Sequence, residues 1–354
     1  MTEMTILVIG AIDRDTGGIA QYTNEQIRHL QRDNEIIGLD VSAPEVRRVL
    51  LVPYASLKLF KDVIKLVRQD PPDIVHMHVA QGIPFYRETL FGLIATYFWD
   101  IETVLHIHGS SFDKFLESDG ILSNAYQSVV FERVDKIVCL SSYWEEVLSN
   151  HTDQDKLEIL PNAVNVCDYA PEENESGKLR ISYISDLVKR KGVREFSNAV
   201  EQFGDDDSIQ IDVAGKGPLS SIIQDLSDQH QNVRYHGYVS EDTKQDILNR
   251  SDIFILPSYA EGLPIVILEA MAGGNAIVST NVGSIPELIG SENGILISPR
   301  NEEMIRDSVK RLGNERKKLH EIKRRNRELI EKSFSWEAHK RDLTQIYNSA
   351  LQKE

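Results

Sequence analysis

Cysteine is almost missing from this 354-residue chain, which carries only Cys139 and Cys167. Two thiols make neither a disulfide framework nor a cysteine metal set, and a reducing, cytoplasmic setting is the simplest one. Long apolar runs are missing too. No stretch approaches the roughly 18 residues of a membrane-crossing helix. Met1–Gly10 lacks the basic start of a signal peptide and turns at once into a strand pattern. Positive charge is scarce: 39 Lys and Arg stand against 55 Asp and Glu, a net charge of −16. Nucleic acid is therefore not an expected partner, since phosphate binding wants a basic face. Strong attraction to anionic lipid is excluded unless the charge is unevenly spread. Internal repeats and the dinucleotide fingerprint G-x-G-x-x-G are also absent.

What remains reads as an ordinary globular α/β protein, long enough for two domains. Met4–Gly10 is a short apolar run closed by glycine, the pattern of a buried parallel strand. Asp73–His78, Thr103–Gly109 and Asp135–Ser141 repeat it, with helical patterns at Ile19–Leu30 and Tyr86–Trp99. Ser56–Gln69 is a basic amphipathic helix pattern. It suits a membrane surface or, as we expect, the outside of an α/β domain. Asp168–Lys178 is acidic, aperiodic and the best linker in the chain. A second alternation follows, with strands at Leu179–Ser185, Ile209–Ala214, Val233–Tyr235, Ile253–Leu256, Ala276–Ser279 and Gly294–Ile297. Alternation in both halves predicts two parallel sheets, with domains at 1–168 and 178–334.

The most informative stretch is Pro257–Gly274. Two carboxylates, Glu261 and Glu269, bracket seven residues that are otherwise apolar, Gly or Pro. Pro264 is placed like a first helical residue and Gly273-Gly274 like a stop. Glu261 then lies in the loop before a helix and Glu269 inside it. A buried carboxylate without a partner costs several kcal/mol, so Glu269 calls for one: a pair of ligand hydroxyls, or a structural arginine. The free N–H groups at the helix start suit an anion.

This stretch resembles the signature of the retaining family-4 (group 1) glycosyltransferases, which have the GT-B fold. The resemblance implies two Rossmann-like domains facing across a cleft. It also implies a terminal helix, here within 335–354, crossing back to the first domain. By the same resemblance Glu261 meets the donor sugar, and Glu269 holds the ribose hydroxyls of a nucleotide sugar. Gly262, Leu263 and Ile265 offer amides to the diphosphate. Gly17-Gly18 resembles the family's N-terminal glycine loop, His108 its histidine beside the anomeric carbon, and Gly215 its Gly-x-Gly-Pro turn. Tyr238 lies in the loop that meets the nucleobase. Lys191 matches the lysine that grips the diphosphate. Asp186, however, stands where the family has arginine. A carboxylate about 4 Å from a phosphate costs roughly 4 kcal/mol per unit charge at an effective dielectric of 20, so Arg190 or Lys189 is expected to supply the missing charge. The two His-x-His pairs, His76/His78 and His106/His108, have no Cys or acidic residue in metal spacing, and no metal or other cofactor is expected.

The resemblance implies a retaining hexosyltransferase moving a sugar from a nucleotide-diphosphate sugar to a hydroxyl acceptor in polysaccharide or glycan biosynthesis. The acceptor would be a sugar or a lipid-linked sugar, with room for peripheral contact at the inner face of a membrane. Two other readings stay open: a catalytically weak subunit, favoured by Asp186, and a nucleotide-sugar epimerase.

Overall fold

The computed structural model describes residues 3–12, 17–41, 70–117, 120–174, 177–204 and 206–352. The basic pattern at 56–69 and the loop residues 13–16 lie outside them. The chain divides into two compact units, Met1–Pro161 with His339–Glu354, and Asn162–Ala338. The division falls between Pro161 and Asn162, ahead of the linker pattern, inside a stretch, 157–165, whose sequence resembles the family's strand and turn at the edge of the first domain. Val164 bridges to Ser335, with its amide donating to Phe334 O at 2.9 Å, so this segment is tied into the second unit.

Among the described residues each unit holds a six-stranded sheet in which every pair of neighbours runs parallel. In the first unit the strands are β1 (Thr5–Gly10), β2 (Glu35–Asp40), β3 (Ile74–Val79), β4 (Glu102–Ile107), β5 (Lys136–Cys139) and β6 (Leu157–Ile159), ordered β2-β1-β3-β4-β5-β6. In the second they are β7 (Leu179–Ile184), β8 (Ile209–Ala214), β9 (Val233–Tyr235), β10 (Ile253–Leu256), β11 (Ala276–Thr280) and β12 (Gly294–Ile297), ordered β12-β11-β10-β7-β8-β9. The central strands are buried on both faces, as parallel sheets require. That is why they read as unbroken apolar runs rather than alternating ones. β2 is the strand the pattern does not announce: Glu-Ile-Ile-Gly-Leu-Asp has an acid at each end and a glycine inside. Its pairing with β1 from Glu35 to Asp40 makes it a strand nonetheless.

The helix Trp336–Leu351 begins in the second unit and continues into the first. Its Leu343, Ile346, Tyr347 and Ala350 pack in one core with Ile6, Val8, Ile74, Val104 and Val138. The second unit has its own core, built on Ile181, Tyr183, Ile211, Ile255 and Val278. No helix among the described residues is long and apolar enough to cross a membrane.

Candidate functional site

In the second unit the chain leaves β7 toward β8 and β9, then returns to lay β10, β11 and β12 on the other side. The loops after β7 and β10 therefore part at a switch point, the place where open α/β sheets take ligands at strand C-termini. These loops are 185–192 and 257–264, and they are locked together. Tyr259 N donates to Arg190 O at 2.7 Å. Tyr183 OH donates to Lys191 O at 3.1 Å. Gly192 has φ 70°, and a Cβ on it would stand 2.1 Å from Pro257 O. A Cβ on Gly283 would stand 1.9 Å from Glu261 O. Only glycine lets the backbones come this close. Gly215 plays a similar part, since its Cβ would meet Ser185 O at 1.8 Å. Asn162 supports the far side of the loop by donating from Nδ2 to Leu263 O at 2.7 Å.

The locked loops bring Lys191, Arg190 and Glu261 together. Lys191 Nζ lies 2.6 Å from Glu261 Oε1, and Arg190 Nη1 lies 3.4 Å from Oε2. Arg190 also donates to Ala260 O at 2.7 Å. Only 12% of the Lys191 side chain and 6% of that of Glu261 are exposed, against 39% for Arg190. Two cations on one carboxylate leave a net positive charge at a strand end, an arrangement that attracts an anion. Lys189 and Asp186 are both exposed on the same loop. The helix Ile265–Ala272 starts beside it, with Pro264 at the N-cap, one place ahead of the position its sequence suggests. The Ile265 amide precedes the first intrahelical bond and is open to a ligand.

Glu269 sits inside that helix, buried, in a second ion pair. Lys244 Nζ, from the helix Glu241–Arg250, is 2.8 Å from Glu269 Oε1 and 2.6 Å from Glu241 Oε2. Burial pushes the Glu269 carboxyl up from its ordinary range, while Lys244 and the Tyr169 hydroxyl that donates to it work the other way. Burial disfavours the Lys244 ammonium, but Glu269 and Glu241 outweigh it and its pKa is raised. The structural partner is thus a lysine, not the arginine expected. A carboxylate accepts about four hydrogen bonds, so these two partners leave acceptor capacity on Glu269. Tyr238 is 58% exposed, and Lys216 Nζ lies 4.2 Å from its ring centroid.

The first unit gathers rings instead of charges. Gly17 caps the helix Gly18–Leu30 with φ 108°, and a Cβ on either glycine would meet no atom within 4 Å. From that helix Tyr22 and Gln26 reach the two histidine pairs at the ends of β3 and β4. His78 pairs in register with His106, so both His-x-His motifs share one face. His78 Nδ1 is 3.0 Å from His108 Nε2, and His78 Nε2 is 2.9 Å from Gln26 Oε1. His76 Nδ1 is 2.6 Å from Tyr347 OH, and His76 Nε2 is 3.3 Å from His106 Nδ1. Tyr22 OH lies 2.7 Å from His339 Nε2. Burial, reinforced by the neighbouring rings, lowers His76 and His108 to about 3. Burial also lowers His339 to about 4. All are neutral at pH 7. Ring nitrogens of His76, His78 and His106 lie within 4.8 Å of one another. His76 stacks on His78 and His106 with interplanar angles of 26° and 9°.

Within the second unit, then, Lys191, Arg190 and Glu261 meet, while Glu269 is paired elsewhere and Tyr238 stands in the open. In the first unit His108 joins a ring cluster. Lys244, Tyr169, Tyr22, Gln26, His339 and Tyr347 are partners that sequence patterns alone do not reveal.

Two family models cover most of the chain: Glycosyltransferase Family 4 over residues 16–167 and Glycosyl transferases group 1 over residues 169–329. A Bacillus subtilis protein assigned by name to teichuronic acid biosynthesis, the glycosyltransferase TuaC, is 25% identical over 266 residues, 72% of this chain and 65% of its own length. The gpi3 subunit of the Schizosaccharomyces pombe phosphatidylinositol N-acetylglucosaminyltransferase is 24% identical over 198 residues, 54% of this chain and 43% of its own length. The chain thus spans about two thirds or less of these curated relatives. Among solved structures, Anabaena HepE in complex with UDP and glucose superimposes with a TM-score of 0.77 at 13% identity, over 98% of this chain and 100% of that one.

Proposed function

The chain belongs to the family-4, group 1 glycosyltransferases and has the GT-B fold, and from that premise we propose that it moves a sugar, with retention, from a nucleoside diphosphate sugar to a hydroxyl acceptor. The observation that carries the reading is the Lys191–Glu261–Arg190 group at the β7/β10 switch point. Lys191 has three donors. It can keep Glu261 and still reach the diphosphate, whose charge grows as the glycosidic bond breaks. Fixed positive groups aimed at developing charge supply the largest share of such catalysis. Arg190 takes the place of the absent arginine, and the amides of Gly262, Leu263 and Ile265 add the helix N-terminus. Glu261, held by both cations, orients the sugar hydroxyls. Glu269 accepts from the ribose with the capacity Lys244 and Tyr169 leave it, and Tyr238 meets the base. His108, on the first unit, meets the sugar. The acceptor attacks on the leaving-group face, and no metal is required where Lys191 neutralises the phosphates.

HepE's complex supports UDP and glucose as first probes. The names of the two relatives support a cell-surface glycan or a lipid-linked acceptor. Ile121 and Leu122, 85% and 88% exposed, would suit peripheral contact with a bilayer. A second reading, a weak or non-catalytic subunit, is favoured by the exposed carboxylate of Asp186. Titration with UDP and GDP followed by an acceptor assay separates the two. Nucleotide binding with acceptor-dependent sugar release is the expected result, and no binding of either nucleotide would sink the transferase.

A further inference from the structure

We propose that His339, Tyr22, Gln26 and His78 form a one-way hydrogen-bond relay that keeps the proton of His108 on Nε2, leaving its Nδ1 as a bare acceptor for a sugar hydroxyl. The last clause rests on the reading of His108 given above, but the relay itself does not.

The direction follows link by link from which atoms can donate. His339 Nδ1 lies 2.9 Å from Pro161 O. A carbonyl only accepts, so this nitrogen carries hydrogen. In a neutral ring Nε2 is then bare, and it must accept from Tyr22 OH at 2.7 Å. That spends the single hydroxyl hydrogen. The Gln26 atom facing Tyr22 must therefore be the NH2 group, which donates to Tyr22 OH at 3.1 Å. Gln26 Oε1 is thereby turned to His78 Nε2, which must donate to it across 2.9 Å. His78 Nδ1 is left bare and accepts from His108 Nε2 at 3.0 Å. The result is a His108 whose free nitrogen is Nδ1.

Running the chain backwards requires Tyr22 to accept from His339 Nε2. His339 already gives Nδ1–H to Pro161, so it would have to be an imidazolium. Burial holds its pKa near 4, so at neutral pH that form is not populated. The carbonyl of Pro161 is thus the fixed end that orients every later link. Tyr22, Gln26, His78 and His339 are all buried, which keeps water from scrambling the order. A ring that can present only a lone pair takes a hydroxyl and refuses a carbonyl or phosphate oxygen. With a pKa of about 3 it accepts a hydrogen bond without removing the proton. His78, Gln26, Tyr22 and His339 are accordingly positioning residues.

Nitrogen-15 NMR of the full chain with labelled histidines reads the tautomer of His108 directly. The expected wild-type spectrum has the proton on Nε2 alone; a proton on Nδ1 would overturn the relay. In Tyr22→Phe the Gln26 amide loses its bias. His108 should then appear as a mixture of both tautomers, with kcat for transfer down about tenfold, the worth of one hydrogen bond, and the donor KM unmoved. His339→Gln in the chain that keeps Tyr22, where the amide can donate to Pro161 O and accept from Tyr22 OH, should keep the single tautomer. A lone Nε2–H tautomer in Tyr22→Phe would also overturn the relay. If that variant does not fold, Gln26→Met breaks the next link with the same readout. His108→Ala tests the sugar contact separately: full transfer activity would remove that contact, whatever the spectra say.

Discussion

The two units use the same device, a parallel sheet with working side chains at its strand ends, but they fill it with opposite chemistry. The second unit holds ions: Lys191 and Arg190 on Glu261, and Lys244 on Glu269. The first holds neutral rings that hydrogen-bond to one another. On the proposed reading, the difference follows from what each can do with a charge. A site that receives a diphosphate profits from cations kept in place by a carboxylate. A site that orients a neutral hydroxyl profits from groups whose protons do not move. Ion pairs tolerate a change of pH near neutrality, and buried neutral histidines set a floor beneath it.

Acid should break the comparison most strongly. His339 titrates near 4, and His76 and His108 near 3, all below the ordinary histidine value of 6.5. The unfolded chain takes up protons below about pH 6.5 that the folded one refuses, so stability is intact above that pH and lost as pH falls toward 4 and then 3. Each ring contributes about 1.4 kcal/mol per pH unit over its window. Urea unfolding between pH 7 and 4 measures the slope. A flat profile would mean the rings are not buried neutral.

Lys191→Met comes next. Loss of a fixed charge on the leaving group should lower kcat by about 100–1000-fold, read from steady-state transfer kinetics; an effect on KM alone would place Lys191 outside the transition state. Glu269→Gln is smaller and sharper. It strips Lys244 of one of its two carboxylates, at a cost of about 3 kcal/mol in stability, and should also weaken nucleotide binding in calorimetry. Reduced stability with unchanged affinity would make Glu269 purely the partner of Lys244. The smallest effect belongs to Asp186→Asn. An exposed carboxylate is well screened, so donor affinity should rise only a few-fold, by about 1 kcal/mol or less. A larger gain would favour the weakened-subunit reading.

Most of the fold could be read from the sequence, because a doubly covered strand is an apolar run and ten or more of them in alternation with helices leave few architectures. β2 escaped because its two acids and glycine imitate a loop, and only its ladder to β1 overrides them. The site was legible where chemistry is local. Glu261 and Glu269 stand out by their apolar setting, and Lys191 by its place after β7. Their partners were not legible. Lys244 and Glu269 are 25 residues apart, while Tyr22 and His339 are separated by 317. Nothing in a short window of sequence registers a contact made by folding over such distances. Pro264 was misplaced by one position for a plainer reason: a proline suits the N-cap as well as the first turn, and only the backbone angles distinguish them.

The helix Trp336–Leu351 gives the first unit part of its core and one end of its ring cluster. Those residues leave the ribosome after all of the second unit. The earlier-made half of the protein must therefore wait, incomplete, with the strands around Ile6 and Ile74 uncovered, while the later-made half can close on its own. A nascent chain held just short of Ala338 should present one finished lobe and one that still binds chaperones.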